Sequence, residues 1–170
     1  MREWLSWLSI EYANEIEMLL RLGLATLSGM VIGLNRDIHQ KPIGMRTLGL
    51  VSLGSAIVIL SGSTYEGLHF AQDAVSRVVQ GILTGLGFLG AGAILRGKDG
   101  QDVQGLTTAS TVWIAAALGV TAALGAWFIT ITGTLITLGL LTYGTPLEHK
   151  LIRFFSRGQV PLKSDSEDEA

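Results

Sequence analysis

Stretches without a single Asp, Glu, Lys or Arg divide the chain into a few long apolar segments. Val103 to Leu147 holds 45 consecutive uncharged residues, too many for one membrane-spanning helix and enough for two. Thr47 to Tyr65 gives 19 more, and Val78 to Leu95 another 18. A helix needs about 20 mostly apolar residues to cross a bilayer, so each of these runs reads as a span. Ile16 to Leu34 is a further candidate, interrupted by Glu17 and Arg21. Within the longest run, the segment from Gly119 to Gly125 supplies a turn. The pattern predicts an all-α fold, a polytopic membrane helix bundle of about five spans, near residues 16–34, 46–62, 74–95, 104–120 and 124–143.

Composition supports this reading and removes several alternatives. Only 15% of the 170 residues are charged, against roughly 25% in soluble domains. The absence of Cys excludes disulfides, thiolate metal sites and a Cys nucleophile. The net charge of −2 is an average over unlike parts, because Asp165, Glu167, Asp168 and Glu169 crowd the C-terminus. Without those four acids the remainder carries +2 (−2 plus 4).

The placement of the positive charges sets an expected topology. An odd number of spans puts the two termini on opposite sides. With the C-terminus in the cytoplasm, Arg36, Lys41, Arg46, Arg96, Lys98, Lys150, Arg153, Arg157 and Lys163 all fall inside. Arg2 is then outside, and Arg21 and Arg77 lie near the outer ends of spans. The expectation is an outer N-terminus and a cytoplasmic C-terminus. Trp4 and Trp7 suit a headgroup-level segment, and no cleavable signal peptide is expected. Residues 1–145 read as the transmembrane domain, 146–158 as a basic amphipathic helix on the inner leaflet, and 159–170 as a disordered acidic tail.

Most of the 22 glycines fall inside the spans. In lipid, pairs of small residues four apart let helix backbones approach closely. Gly29 and Gly33, Gly81 and Gly85, and Ala115 and Gly119 have this spacing, and Gly87, Gly90 and Gly92 continue the third span. Two readings are open: packing within the bundle, and a homodimer seam. Gly85 to Gly90 also spells G-x-G-x-x-G, but it lies mid-span with no strand before it, so the dinucleotide reading is rejected.

Gly33-Leu-Asn-Arg-Asp37, Gly44-Met-Arg-Thr-Leu48, Gly87-Phe-Leu-Gly-Ala-Gly92 and Gly105-Leu-Thr-Thr-Ala-Ser-Thr-Val-Trp113 follow one another in order. Together they resemble the motifs of the MgtC/SapB family of bacterial inner-membrane proteins, over roughly residues 15–143. The resemblance implies a bundle of four or five spans and a role in growth under magnesium limitation or in stress adaptation. It implies a non-enzymatic regulator that binds other inner-membrane proteins, among them the F-type ATP synthase, and a short form without the cytoplasmic regulatory domain of many relatives. A small transporter or channel subunit for Mg²⁺ or another ion is the alternative. Asn35 and Asp37 stand where many relatives carry Glu, and Thr107 where virulence-linked members often carry Asn. Those departures fit an environmental or housekeeping paralogue better than a virulence role.

Polar residues gather at both faces. An outer cluster comprises Glu17, Arg21, Asp73, Arg77 and Gln80, with Glu17–Arg21 and Asp73–Arg77 spaced as i,i+4 ion pairs. It is either self-neutralising at the headgroups or a polar vestibule. An inner cluster comprises Arg36, Asp37, Arg46, Thr47, Arg96, Thr107 and Thr108, beside Asn35, Lys41, Ser110 and Thr111. There Thr107 or Thr108 is expected to cap the fourth span. The arginines at that helix N-terminus suit a phospholipid headgroup; the alternative is ordinary positive-inside anchoring. No catalytic constellation, cofactor site or metal site is expected, and nucleic acid is not an expected partner. Mg²⁺ favours carboxylates, and the spans carry no acid near the bilayer centre; only Glu17 and Asp73 come close, both at the outer end.

Overall fold

The computed structural model describes residues 2–62, 72–96 and 103–156. Five helices follow in order: α1 (Arg2–Ile38), α2 (Met45–Ser61), α3 (Gln72–Ala93), α4 (Leu106–Ala123) and α5 (Trp127–Ser156). Between α3 and α4, β1 (Leu95–Arg96) and β2 (Val103–Gln104) pair antiparallel, Leu95 opposite Gln104 and Arg96 opposite Val103. The fold is an all-α bundle, as the uncharged runs predict. Tyr12–Ile38, Asp73–Ala93, Leu106–Ala123 and Trp127–Gly144 are long and apolar enough to cross a bilayer. α2, an apolar helix of 17 residues, is shorter, roughly 26 Å at about 1.5 Å per residue.

Three boundaries differ from the sequence expectation. α1 begins at Arg2, well before the expected start near residue 16. α4 runs on to Ala123, and the break falls at 124–126, three residues later than expected. Gly119 is therefore helical; Gly125, at φ +75°, makes the turn. The basic segment after 145 is no separate helix as far as 156, because α5 continues through Pro146 to Ser156. Pro146 lacks an N–H for the Thr142 carbonyl, yet the helix persists on either side of that gap. The expected tail, 159–170, lies outside the described residues.

α4 is the axis of the bundle and packs against every other helix. Of its apolar stretch 56% is buried, against 33% for α1, 11% for α5 and none for α3. Its composition explains the position. Ala115, Ala116, Ala122 and Ala123 are fully buried, and such thin side chains admit neighbouring helices from several directions. The closest approach is around Ser52 of α2, itself fully buried. A Cβ added at Gly119 would lie 2.1 Å from the Ser52 carbonyl oxygen, and one at Gly29 would lie 2.4 Å from that of Leu48. Ser52 Oγ donates to the Ala25 carbonyl at 2.6 Å, so one small polar residue ties α2 to α1 while lying against α4.

Facing outward, Phe88 is 85% exposed, Phe128 81% and Tyr143 70%. Large apolar side chains turned out and serine and threonine turned in are the arrangement of a bundle solvated by lipid. Within the bundle most hydroxyls satisfy themselves on the preceding turn, as Thr26 on Leu22, Thr134 on Thr130 and Thr137 on Gly133.

Candidate functional site

One polar centre joins three helices where α1 ends and α2 and α4 begin. Arg36, in the last turn of α1, is only 3% exposed. Its Nη2 donates to Thr108 Oγ1 at 2.6 Å and to the Pro42 carbonyl at 2.9 Å. Its Nε donates to the Ile43 carbonyl at 3.2 Å, and Nη1 to Thr111 Oγ1 at 3.3 Å. These interactions occupy four of the five guanidinium N–H groups, every one on a neutral oxygen of the protein.

The next residue performs a separate task. Asp37 Oδ2 accepts the Met45 N–H at 2.9 Å, so a carboxylate from α1 caps the first turn of α2. A Cβ at Gly44 would collide with that carboxylate, which accounts for glycine at the N-cap. The loop between them is strained: Gln40 and Ile43 take φ of +53° and +63°. A β-branched residue there is costly, on the order of 1–3 kcal/mol. Arg36, holding the Pro42 and Ile43 carbonyls, and Ile43, packed against the core, keep the loop in place.

Only part of the expected inner cluster therefore forms one site. Arg36, Asp37 and Thr108 come together, joined by Thr111, which the residue pattern placed nearby without assigning it a role. Asn35 adds a bond from Nδ2 to Thr142 Oγ1 at 3.0 Å that reaches α5. Arg46 and Thr47 are exposed and make no hydrogen bond or ion pair among the described residues. Thr47 instead lines an apolar groove of about 470 Å³ between α2 and α3. The Arg96 side chain lies outside the described residues. Thr107 is exposed, and its carbonyl accepts the Thr111 hydroxyl.

The expected cap of α4 is a correction. Gly105 is the N-cap, with no side-chain cap bond, and Thr108 spends its oxygen on Arg36. Gly105 sits at φ +93°, and a Cβ there would lie 2.0 Å from the Ala93 carbonyl oxygen, so no side chain fits. Engagement of Arg36 with neutral protein oxygens also removes it from the expected headgroup site.

The opposite end of α4 is held in a mirrored way. Arg21, 8% exposed, donates from Nη1 to the Ala123 carbonyl at 2.7 Å, and it is ion-paired with Glu17 through Nε and Nη2. A cation is thus set on the negative end of the α4 dipole, over the Gly125 turn. Arg21 and Arg36 are 15 residues apart on α1; their contacts Ala123 and Thr108 are 15 apart on antiparallel α4. Both pairs therefore match across about 22 Å.

The rest of the expected outer cluster stands apart. Asp73 and Arg77 are exposed on α3 and form no ion pair among the described residues, and Gln80 is exposed beside them. α1 and α3 share no substantial packing, so among the described residues the five are not gathered into one cluster. The glycines divide as well. Gly29, Gly33 and Gly119 are close-packed against α2, Gly33 lying where a Cβ would be 2.4 Å from Met45 Cα. Gly81, Gly85, Gly87 and Gly92 have nothing within 4 Å of such a Cβ, and Gly90 only an ordinary 3.8 Å contact with Ala109. Packing within the chain thus explains the first group and not the α3 glycines. Small-residue spacing identifies a thin helix face; it does not say which way that face turns.

Among the described residues no three His, Asp or Glu side chains gather as a metal site. A sequence model of the MgtC family matches residues 22–150. Protein SrpB of Synechococcus elongatus is 48% identical over 126 residues, covering 69% of either chain. Protein MgtC of Salmonella typhimurium is 40% identical over 120 residues, 71% of this chain and 49% of that one. Protein SapB of Bacillus subtilis is 39% identical over 115 residues, 64% of this chain and 48% of its own. The chain thus spans about half the length of the MgtC and SapB relatives. No solved structure matches significantly.

Proposed function

The chain belongs to the MgtC family of membrane proteins, and on that premise we propose that it is a non-enzymatic regulator of the bacterial inner membrane. It serves adaptation to magnesium limitation or stress by contacting other membrane proteins. The observation that carries this reading is α3. It is a span-length helix with no buried residue from 73 to 93, although it is rich in glycine and carries polar groups. A helix that faced only lipid would have no use for so thin a surface, whereas a docking helix would. Gly81, Gly85 and Gly92 share the face that borders the groove beside α2, and this is the proposed contact surface. The F-type ATP synthase is a partner suggested by family resemblance alone. The excess of Lys and Arg on one side supports a cytoplasmic C-terminus.

Photocrosslinking tests the reading. A photoreactive residue at Leu89, which lines the groove and is 52% exposed, should give reproducible adducts with inner-membrane proteins in magnesium-starved cells. Gly85→Leu should remove those adducts and the growth phenotype while leaving the chain inserted and folded. Adducts with lipid alone, or a Gly85→Leu variant with full activity, would count against it.

A further inference from the structure

A second stripe on α3 carries more specific information. Asp73, Arg77, Gln80, Thr84, Gly87 and Ala91 follow one another at steps of four, three, four, three and four, and all six are exposed. This is the 3.5-residue period of a left-handed helix pair, written on one face of the helix. That face is turned away from α4, which α3 meets through Ile82, Leu86 and Gly90. It is also distinct from the glycine face beside the groove. Asp73, Arg77, Gln80 and Thr84 have no hydrogen-bonding or ion-pair partner among the described residues. Polar side chains on a membrane helix normally face a partner.

We propose that this seam pairs with the same seam of a second copy of the chain. The proposal rests on the reading of α3 as the contact helix and names one of its partners. Its chemistry is self-complementary. Copies inserted the same way meet in parallel about a two-fold axis, so each residue returns near itself. Asp73 and Arg77 of both copies then make a neutral ring of two acids and two cations at the membrane boundary. The Gln80 amide both donates and accepts, so two of them satisfy one another. Beyond Gln80, the seam narrows to Thr84, Gly87 and Ala91, allowing the backbones to approach. A foreign partner would need its own matching charges, whereas a second copy supplies them at the required spacing.

The absence of native cysteine makes the test direct. In native membranes, full-length Thr84→Cys and Gly87→Cys should form disulfide-linked dimers on mild oxidation. Leu89→Cys, exposed on another face of α3, should not. Added to the Thr84→Cys chain, Asp73→Arg alone or Arg77→Asp alone should lower crosslinking about fivefold, within the range of exposed charge pairs. Co-expression of those two chains should restore it in trans. Equal crosslinking at Leu89, no crosslinking at the seam, or no restoration by the complementary pair would overturn the proposal. If copy-to-copy crosslinks fail while adducts at Leu89 persist, the contact reading stands and the self-pairing falls.

Discussion

Gly119→Val is expected to be among the most damaging single substitutions in the chain, with loss of folded protein in detergent. The Cβ would sit 2.1 Å from the Ser52 carbonyl oxygen, and the obstacle is backbone rather than a movable side chain. Overpacking of this kind typically costs about 1–3 kcal/mol, and the branched side chain here adds two methyl groups to a site already closed to a single carbon. Parting α4 from α2 would also loosen the Ser52–Ala25 bond that ties α2 to α1. Even Gly119→Ala should lower the thermal midpoint. Gly81→Ala provides the contrast, because open space surrounds that position and alanine is a better helix former. Its expected effect on the monomer is neutral or slightly stabilising. Thermal unfolding of the three variants beside the parent checks the prediction. Equal tolerance at 119 and 81 would contradict the packing described for α2 and α4.

Arg36→Met is expected to have the second large effect, with a different signature. Removal of the guanidinium takes away four hydrogen bonds, two to hydroxyls and two to loop carbonyls. Hydrogen bonds to charged groups contribute about 1.5–3 kcal/mol each, but relief of the buried charge offsets part of that sum. A net loss of about 2–4 kcal/mol remains the expectation, the upper part from the strained loop at Gln40 and Ile43. Hydrogen exchange should rise first at residues 39–48, where Asp37 caps α2 through the Met45 N–H. Arg36→Lys should recover part of the stability but not the loop protection, since an ammonium lacks the planar fork that reaches Thr108 and Thr111 together with both carbonyls. Protection of 39–48 unchanged in Arg36→Met would show that the loop is held by something else.

These two positions also show what the sequence makes legible. Four of the five helices are readable because lipid penalises charge so heavily that uncharged runs mark them directly, whereas Glu17 and Arg21 interrupt the run in α1. Gly119 carries two readings in the sequence, the start of a turn and the partner of Ala115 in a small-residue pair, and the approach of Ser52 decides for packing. The same ambiguity affects α3, whose glycines repeat like those of α1 yet, Gly90 apart, have no neighbouring helix within 4 Å of an added Cβ. Arg21 and Arg36 appear in sequence as interruption and topogenic charge. Their role as clamps on the two ends of α4 depends on contacts 102 and 72 residues away in the chain. Matching 15-residue spacings were present in the sequence, but nothing there pairs α1 with α4. Thr111 was visible as one hydroxyl among several, and burial beside Arg36 singles it out.

The contact account and a transport account separate most sharply in ion flux. The purified full-length chain, reconstituted in liposomes, is expected to take up Mg²⁺ and K⁺ no faster than protein-free vesicles, at any external concentration. Saturable Mg²⁺ uptake that requires the protein, and that falls when Asp73→Asn removes an outer carboxylate, would contradict it.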